Sequence, residues 1–401
     1  MPTRSRSRPP RFPFPQLPQV CSNPWLRYAV MTLIFVVLTL LVPRWWAGRD
    51  GHRWYEGDTE LVFAHARAVA ATVETGVTAA DFTTESDLLK NKWQFGTYQM
   101  AALGLLQICL DHPDRRAEFL PAAERAIDEL LSERIRKFNT NIWGEDALAT
   151  LATSDKGHAA YLGYLNLVLG LHRRIVPESR YTEQNDAISA ALVRRLTNSR
   201  HGILETYPGE AYPVDNAAVL GSLLLHARVA GVSHTSATAP LLARFRLAWR
   251  DPRSGLLHQS INPLDGRPID SARASGTLLA AVLLSYGERD LAREFYETTR
   301  DRCADSLLGF GYINEYHIGS LVVPGDIESS KLIFGISPSA TGFTLAAARM
   351  FGERRQFVSL YRTAHLMGAP TTRGDTRFFV TGGPLGNAIL LAMLTARPDL
   401  P

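Results

Sequence analysis

From residue 55 onward the apolar positions return every three or four residues, alternation by two is nearly absent, and glycine or proline punctuates the stretches between. A period of 3.6 is what a helix with a buried face produces. The pattern predicts twelve helices, near 59–74, 93–110, 120–137, 155–175, 182–197, 214–230, 238–250, 271–286, 288–302, 338–351, 353–367 and 383–396. They alternate in character. The stretches 93–110, 155–175, 214–230, 271–286, 338–351 and 383–396 are apolar almost all round, whereas their partners carry charge on one face: LGYLNLVLGL (162–171) contrasts with ERAIDELLSERIRK (124–137). A helix apolar on every side is buried, and one with a charged face lies at a surface.

Six inner helices, each paired with an outer one, predict an all-α chain folded as an (α/α)6 toroid, or barrel, over residues 55–401. A superhelical solenoid would also stack helix pairs. It would show a shared repeat consensus, and the six units share none.

A different pattern precedes the barrel. Residues 25–46 form one apolar run, free of charge from Tyr28 to Val42, with Trp25, Trp45 and Trp46 at its ends like an aromatic belt. About 20 apolar residues cross a bilayer, so the run predicts one N-terminal transmembrane helix. A cleaved signal peptide is the alternative, but the exit reads Pro43-Arg44-Trp45-Trp46, with no small-residue cleavage site. The expectation is an uncleaved signal anchor.

Charge then orients the anchor. The net charge of +4 includes five arginines among the first 27 residues (Arg4, Arg6, Arg8, Arg11, Arg27), with no acid there, so the remainder sums to −1. By the positive-inside rule the basic tail, residues 1–24, is a disordered cytoplasmic segment. The expected location is a bacterial inner membrane, crossed once, with the main domain periplasmic. The folded part lacks a basic stripe, which excludes nucleic acid as a partner. Cys21, Cys109 and Cys303 form no CxxC pair or disulfide framework. No HExxH, GxSxG, Walker or dinucleotide motif occurs, so neither a metal nor a cofactor is expected.

In such a toroid the loops entering the inner helices line one mouth of the central cavity, and polar residues gather in those loops. Trp143, Glu145 and Asp146 precede the fourth helix and His158 opens it; Glu315 precedes the tenth. The densest segment is ETYPGEAYPVDN (205–216), which places Glu205, Glu210 and Asp215 with Tyr207 and Tyr212 before an apolar helix. Helix capping needs one carboxylate, not three. Carboxylates in an enclosed cavity acquire separated pKa values, as glycosidic hydrolysis, elimination or epimerisation require. His158, one turn into its helix, is either functional or a core histidine bonded to a carbonyl.

The block KGHAAYLGYLNLVLGLHRRI (156–175), preceded by WGEDAL (143–148) and followed by RYTEQNDAI (180–188), resembles linalool dehydratase/isomerase. The segments GILETYPGEAYPVDNAAVL (202–220), LLHQSINPLDGRPIDSA (256–272) and FTLAAARMFGERRQF (343–357) follow in that family's order. The resemblance implies an (α/α)6 barrel and an active-site role for His158. The family's two active-site cysteines fall where this chain has Glu205 and Val214, so the thiol chemistry is absent while the scaffold is kept.

The expected function is therefore an enzyme on the outer face of a membrane that breaks a glycosidic or C–O bond of a glycan. Glu205 and Asp215 are the expected acid/base pair, with His158 beside them. Tyr207, Tyr212, Glu315, Glu145, Asp146 and Trp143 are expected to hold the glycan or small-molecule substrate. Two alternatives stand: a hydro-lyase or isomerase of a terpenoid alcohol, and a non-catalytic glycan-binding component of the envelope.

Overall fold

The computed structural model describes residues 23–317 and 335–397. Cys21 and nearly all of the basic tail lie outside the described residues. In chain order the helices are α1 (Pro24–Glu56), α2 (Thr59–Thr75), α3 (Asp87–Asp111), α4 (Arg116–Leu131), α5 (Glu133–Trp143), α6 (Ala159–Ile175), α7 (Thr182–Asn198), α8 (Pro213–Ala230), α9 (Thr235–Ala243), α10 (Ala274–Leu284) and α11 (Arg289–Cys303). A hairpin of β1 (Ala304–Leu307) and β2 (Phe310–Ile313) follows, then α12 (Pro338–Met350) and α13 (Arg354–Gly368). A second hairpin, β3 (Pro370–Arg373) and β4 (Thr376–Phe379), leads to α14 (Gly383–Leu394).

The chain divides into two compact units after Trp45. In the first, α1 has a mean hydropathy of 2.2 over its most apolar window, none of which is buried, and is long enough to cross a membrane; a signal sequence has the same character. The second unit begins at Trp46 and includes the last turns of α1, where Ala47, Gly48, Asp50, Gly51 and Trp54 are buried. There the Asp50 carboxylate accepts a hydrogen bond from Arg377 Nη2 at 2.6 Å.

The second unit is an (α/α)6 barrel. Its inner ring runs α3, α6, α8, α10, α12, α14, each helix packed on the next, and α14 returns to pack on α3. That closing contact excludes a solenoid. Composition explains the layering: in α10 all but Gly276 and Leu279 are buried, while α11 buries Leu291, Ala292, Phe295, Tyr296, Thr299 and Cys303, a single face. Each fully buried Leu or Phe contributes roughly 1.5–3 kcal/mol. Glycines set the close approach between inner helices. A Cβ on Gly163 would lie 2.8 Å from the Val219 nitrogen of α8, one on Gly221 would lie 2.2 Å from the Leu283 carbonyl oxygen of α10, and one on Gly104 would lie 3.0 Å from the Ala392 nitrogen of α14.

Several expected elements differ, among them the stretch 93–110, which begins at Asp87 under the Ser86 cap. The stretch 120–137 is broken at Ser132, which ends α4 and caps α5 by accepting from the Ile135 N–H. The stretch 155–175 starts as a helix only at Ala159, because His158 sits in the left-handed region at φ 52°. The stretch 238–250 begins earlier, at Thr235, and ends in a π turn over Arg244–Ala248. The hairpins escaped the period-two reading because each strand is four residues long.

Candidate active site

The first turns of five inner helices surround a cavity of about 190 Å³. Lys92 and Trp93 come from α3, Tyr164 from α6, Val214 and Asp215 from α8, Ser275 and Gly276 from α10, and Ser339 and Phe343 from α12. Tyr212 and Gln259 reach it from loops. Converging helix N-termini bring positive dipole ends to this mouth, a field that favours an anionic group.

Asp215 is the one carboxylate among the described residues that line this cavity. It stands in the first turn of α8, whose N-cap residue Tyr212 makes no side-chain cap. Its Oδ1 accepts a hydrogen bond from the Tyr164 hydroxyl at 2.8 Å, across the α6–α8 contact. On the α10 side the Ser275 hydroxyl, also lining the cavity, donates to Oε1 of the fully buried Glu315. Glu315 is held by its backbone as well: its carbonyl accepts from the Ala274 N–H at 2.8 Å and its N–H donates to Gly335 at 3.1 Å.

The structure separates the expected carboxylate pair. Glu205 lines a different cavity of about 180 Å³, with Asp155, Arg195 and Asn198. The cause is a clasp between their neighbours: the Asn216 side chain accepts from the Leu204 N–H and donates to the Leu204 carbonyl, both at 2.9 Å. In the second cavity Arg195 is buried and donates to the carbonyls of Ser154 and Thr150; burial depresses its pKa to about 10.

The KGH block has a structural explanation. The Glu205 backbone packs on Gly157, where a Cβ would stand 2.2 Å from the Glu205 carbonyl oxygen, and that oxygen accepts from the Ala159 N–H at 3.1 Å. His158 is fully buried under Trp143, with ring centroids 4.6 Å apart. Its Nε2 faces Glu145 Oε1 at 3.1 Å and its Nδ1 faces Asn139 Oδ1 at 2.6 Å. Burial, outweighing the Glu145 hydrogen bond, lowers the His158 pKa to about 4, so the ring is neutral near pH 7. A neutral imidazole donates once. Both ring nitrogens face an oxygen, Glu145 Oε1 and Asn139 Oδ1, and the neutral ring donates to one of them.

Glu145 is also tied down. Burial works to raise its pKa, but hydrogen bonds from Ser154, His158 and Lys156 prevail and hold it at about 2. Burial likewise opposes ionisation of Asp146, and Arg136 together with the Leu148 and Ala149 N–H groups outweighs it. Buried Trp143 and His158 with half-buried Glu145 and Asp146 thus form a brace behind the mouth and line neither cavity. Tyr207 packs edge-on against Tyr212 at 6.4 Å and carries the Lys92 ammonium 5.3 Å above its ring. The Tyr212 hydroxyl donates to Glu210 at 2.8 Å.

Sequence reasoning missed Tyr164, Lys92, Ser275 and Gln259. The available signals were weak: a lone tyrosine in the first turns of an apolar helix, and a lysine beside Trp93 at the entry of another. Burial pushes the thiols of Cys109 and Cys303 up to about 12. Among the described residues no cluster of His, Cys, Asp and Glu could hold a metal ion.

No family model matches the chain, and no curated protein does. Among solved structures it is similar to the GH76A α-1,6-mannanase from Salegentibacter sp. HEL1_6, at 12% identity, over 86% of this chain and 98% of that one, with a TM-score of 0.51. It is also similar to the Lin0763 protein from Listeria innocua, at 12% identity, over 85% and 96%, with a TM-score of 0.52. These findings correct the resemblance to linalool dehydratase/isomerase. The block that suggested it is an Ala-, Gly- and Leu-rich inner helix with a bracing histidine, which any such barrel can use. At these identities the likeness establishes one thing, that this chain carries the (α/α)6 fold shared with a GH76 mannanase.

Proposed function

We propose that the chain is a glycan-acting hydrolase in which Asp215 is the acid/base group and Tyr164 positions it. The observation that carries this reading is the buried Asp215 carboxylate, bonded to Tyr164 at the mouth where the inner helices converge. Held by the Tyr164 hydroxyl, the carboxylate is placed as a base or as a group that stabilises an oxocarbenium-like centre. Glu315, fully buried behind the cavity wall, is a positioning residue: it accepts from the Ser275 hydroxyl and orients it toward the cavity. Trp93, Tyr212 and Phe343 supply apolar faces against which a sugar ring packs. The cavity is smaller than the ~300–1,000 Å³ of a drug-sized ligand site. It suits one small unit, such as a terminal sugar, rather than a long stretch of polymer.

The membrane reading belongs to the same proposal. The apolar length of α1 and the five arginines ahead of Tyr28 support an anchored enzyme with its barrel on the periplasmic face of an inner membrane. The test is a glycan panel that starts with α-1,6-mannooligosaccharides, because the Salegentibacter protein of the same fold is described as an α-1,6-mannanase. Asp215→Asn is expected to lower turnover by about 10²–10⁴-fold with binding kept. Turnover unchanged in Asp215→Asn would remove the assignment, and binding without turnover in the wild type would favour a glycan-binding component.

A further inference from the structure

A third cavity, of about 350 Å³, lies between α12, α13 and α14. It is nearly all apolar, with Met367, Phe379, Ile389 and Leu390 among its walls. Two of its lining residues, Ser339 and Phe343, also line the Asp215 cavity, so a polar chamber and an apolar one share a wall.

Two further observations concern this space. Gly342 on α12 and Gly386 on α14 both line it, and a Cβ built on either meets no atom of the described residues within 4 Å. Glycine weakens a helix interior, and elsewhere in this barrel the inner-helix glycines Gly104, Gly163 and Gly221 make way for a packed neighbour. At Gly342 and Gly386 the missing side chain instead leaves volume in the cavity. The second observation is the opening. Met367 lines the cavity yet is 55% exposed, and Leu366 and Val380 beside it are exposed too. The Thr381 hydroxyl, donating to the Met367 carbonyl at 2.7 Å, holds the two sides of this apolar rim together.

We propose that the substrate is amphiphilic: a lipid-linked glycan whose sugar enters the Asp215 cavity while its hydrocarbon chain lies between α12, α13 and α14. This rests on the glycan reading of the first cavity and names the class of glycan. A wall shared at Ser339 and Phe343 puts the junction of sugar and chain there. An exposed apolar rim costs solubility in water but suits a chain arriving from a bilayer.

The test uses the full-length chain in phosphatidylcholine/phosphatidylglycerol nanodiscs and a decyl mannoside whose chain ends in a photoreactive diazirine. Labelled residues are mapped by mass spectrometry, with methyl, butyl and hexyl mannosides as competitors. The expected label falls on Met367, Ile389 and Leu390, and competition strengthens by about fourfold per methylene, the gain for burying one. Both effects are lost in Gly342→Leu/Gly386→Leu, whose circular dichroism and melting confirm folding. Label confined to residues 25–46, or label indifferent to the two leucines, overturns the proposal. Labelling does not require turnover, so Asp215→Asn keeps it. Cavity label with no glycan cleaved would leave this inference standing and remove the hydrolase reading; cleavage of tail-free glycans with no cavity label would do the reverse.

Discussion

His158 is a neutral, buried brace, and that state has a measurable thermodynamic consequence. Its pKa falls from an ordinary 6.5 to about 4 on folding. Between those values the unfolded chain binds a proton at this residue and the folded chain does not. Stability therefore rises with pH across that window, is fully present above 6.5, and is lost as pH falls toward 4. Lowering the pH from 7 to 5 costs about 2 kcal/mol through this one residue. His65, fully buried and also depressed to about 4, has a similar dependence, and carboxylates with ordinary unfolded values barely titrate in that range. His158→Gln keeps a neutral hydrogen-bonding side chain and removes the titration. Urea unfolding of the solubilised chain at pH 7, 6 and 5 is the assay, with tryptophan fluorescence as the signal. The variant's absolute stability is expected to fall, but its loss between pH 7 and 5 should be smaller than the wild type's by about 2 kcal/mol. Equal losses in the two proteins would mean that His158 is protonated in the fold, and the argument for a neutral brace would fail.

Three other outcomes follow from the packing. Gly221→Ala forces a methyl against the Leu283 carbonyl, which belongs to backbone and cannot swing aside; it should destabilise by about 3 kcal/mol or more in denaturant titrations, the upper range for overpacking. Gly386→Ala meets no atom of the described residues within 4 Å and should stabilise by roughly 0.5–1 kcal/mol in the same assay, so a loss would show that the space is filled. Tyr164→Phe removes the donor to Asp215 and should lower kcat by about tenfold or more, equivalent to ~1.5–3 kcal/mol for a hydrogen bond to a charged group, with circular dichroism unchanged.

What could be read from the chain follows the range of the interactions. The inner helices were legible because a stretch such as 274–284 is apolar in every direction, and burial on all sides is a local property. Ser132 was not legible as a break, because the apolar period runs on through it and only the turn from α4 to α5 shows the change. Asp215 could be picked out as a carboxylate before an apolar helix. Its partner Tyr164 could not, since it stands 51 residues away and the two meet only where α6 packs on α8. Glu205 misled for the same reason: ten residues from Asp215 along the chain, it is turned into another chamber by a clasp between Leu204 and Asn216 that no spacing encodes. The KGH block was conspicuous, but Gly157 and His158 are demanded by the Glu205 backbone and the Trp143–Glu145 brace.

The contact of α14 with α3 bears on how the chain is made. Synthesis runs from the N-terminus, and the apolar segment that could engage a membrane emerges before the barrel. Gly104 and its face of α3 then wait, uncovered, for Leu391 and Ala392, which are made after all five other inner helices. A solenoid can add one pair at a time and be stable at each stop. A ring has no such intermediate stops, so a nascent chain truncated before residue 383 should present its open seam to chaperones and proteases rather than persist as a smaller barrel.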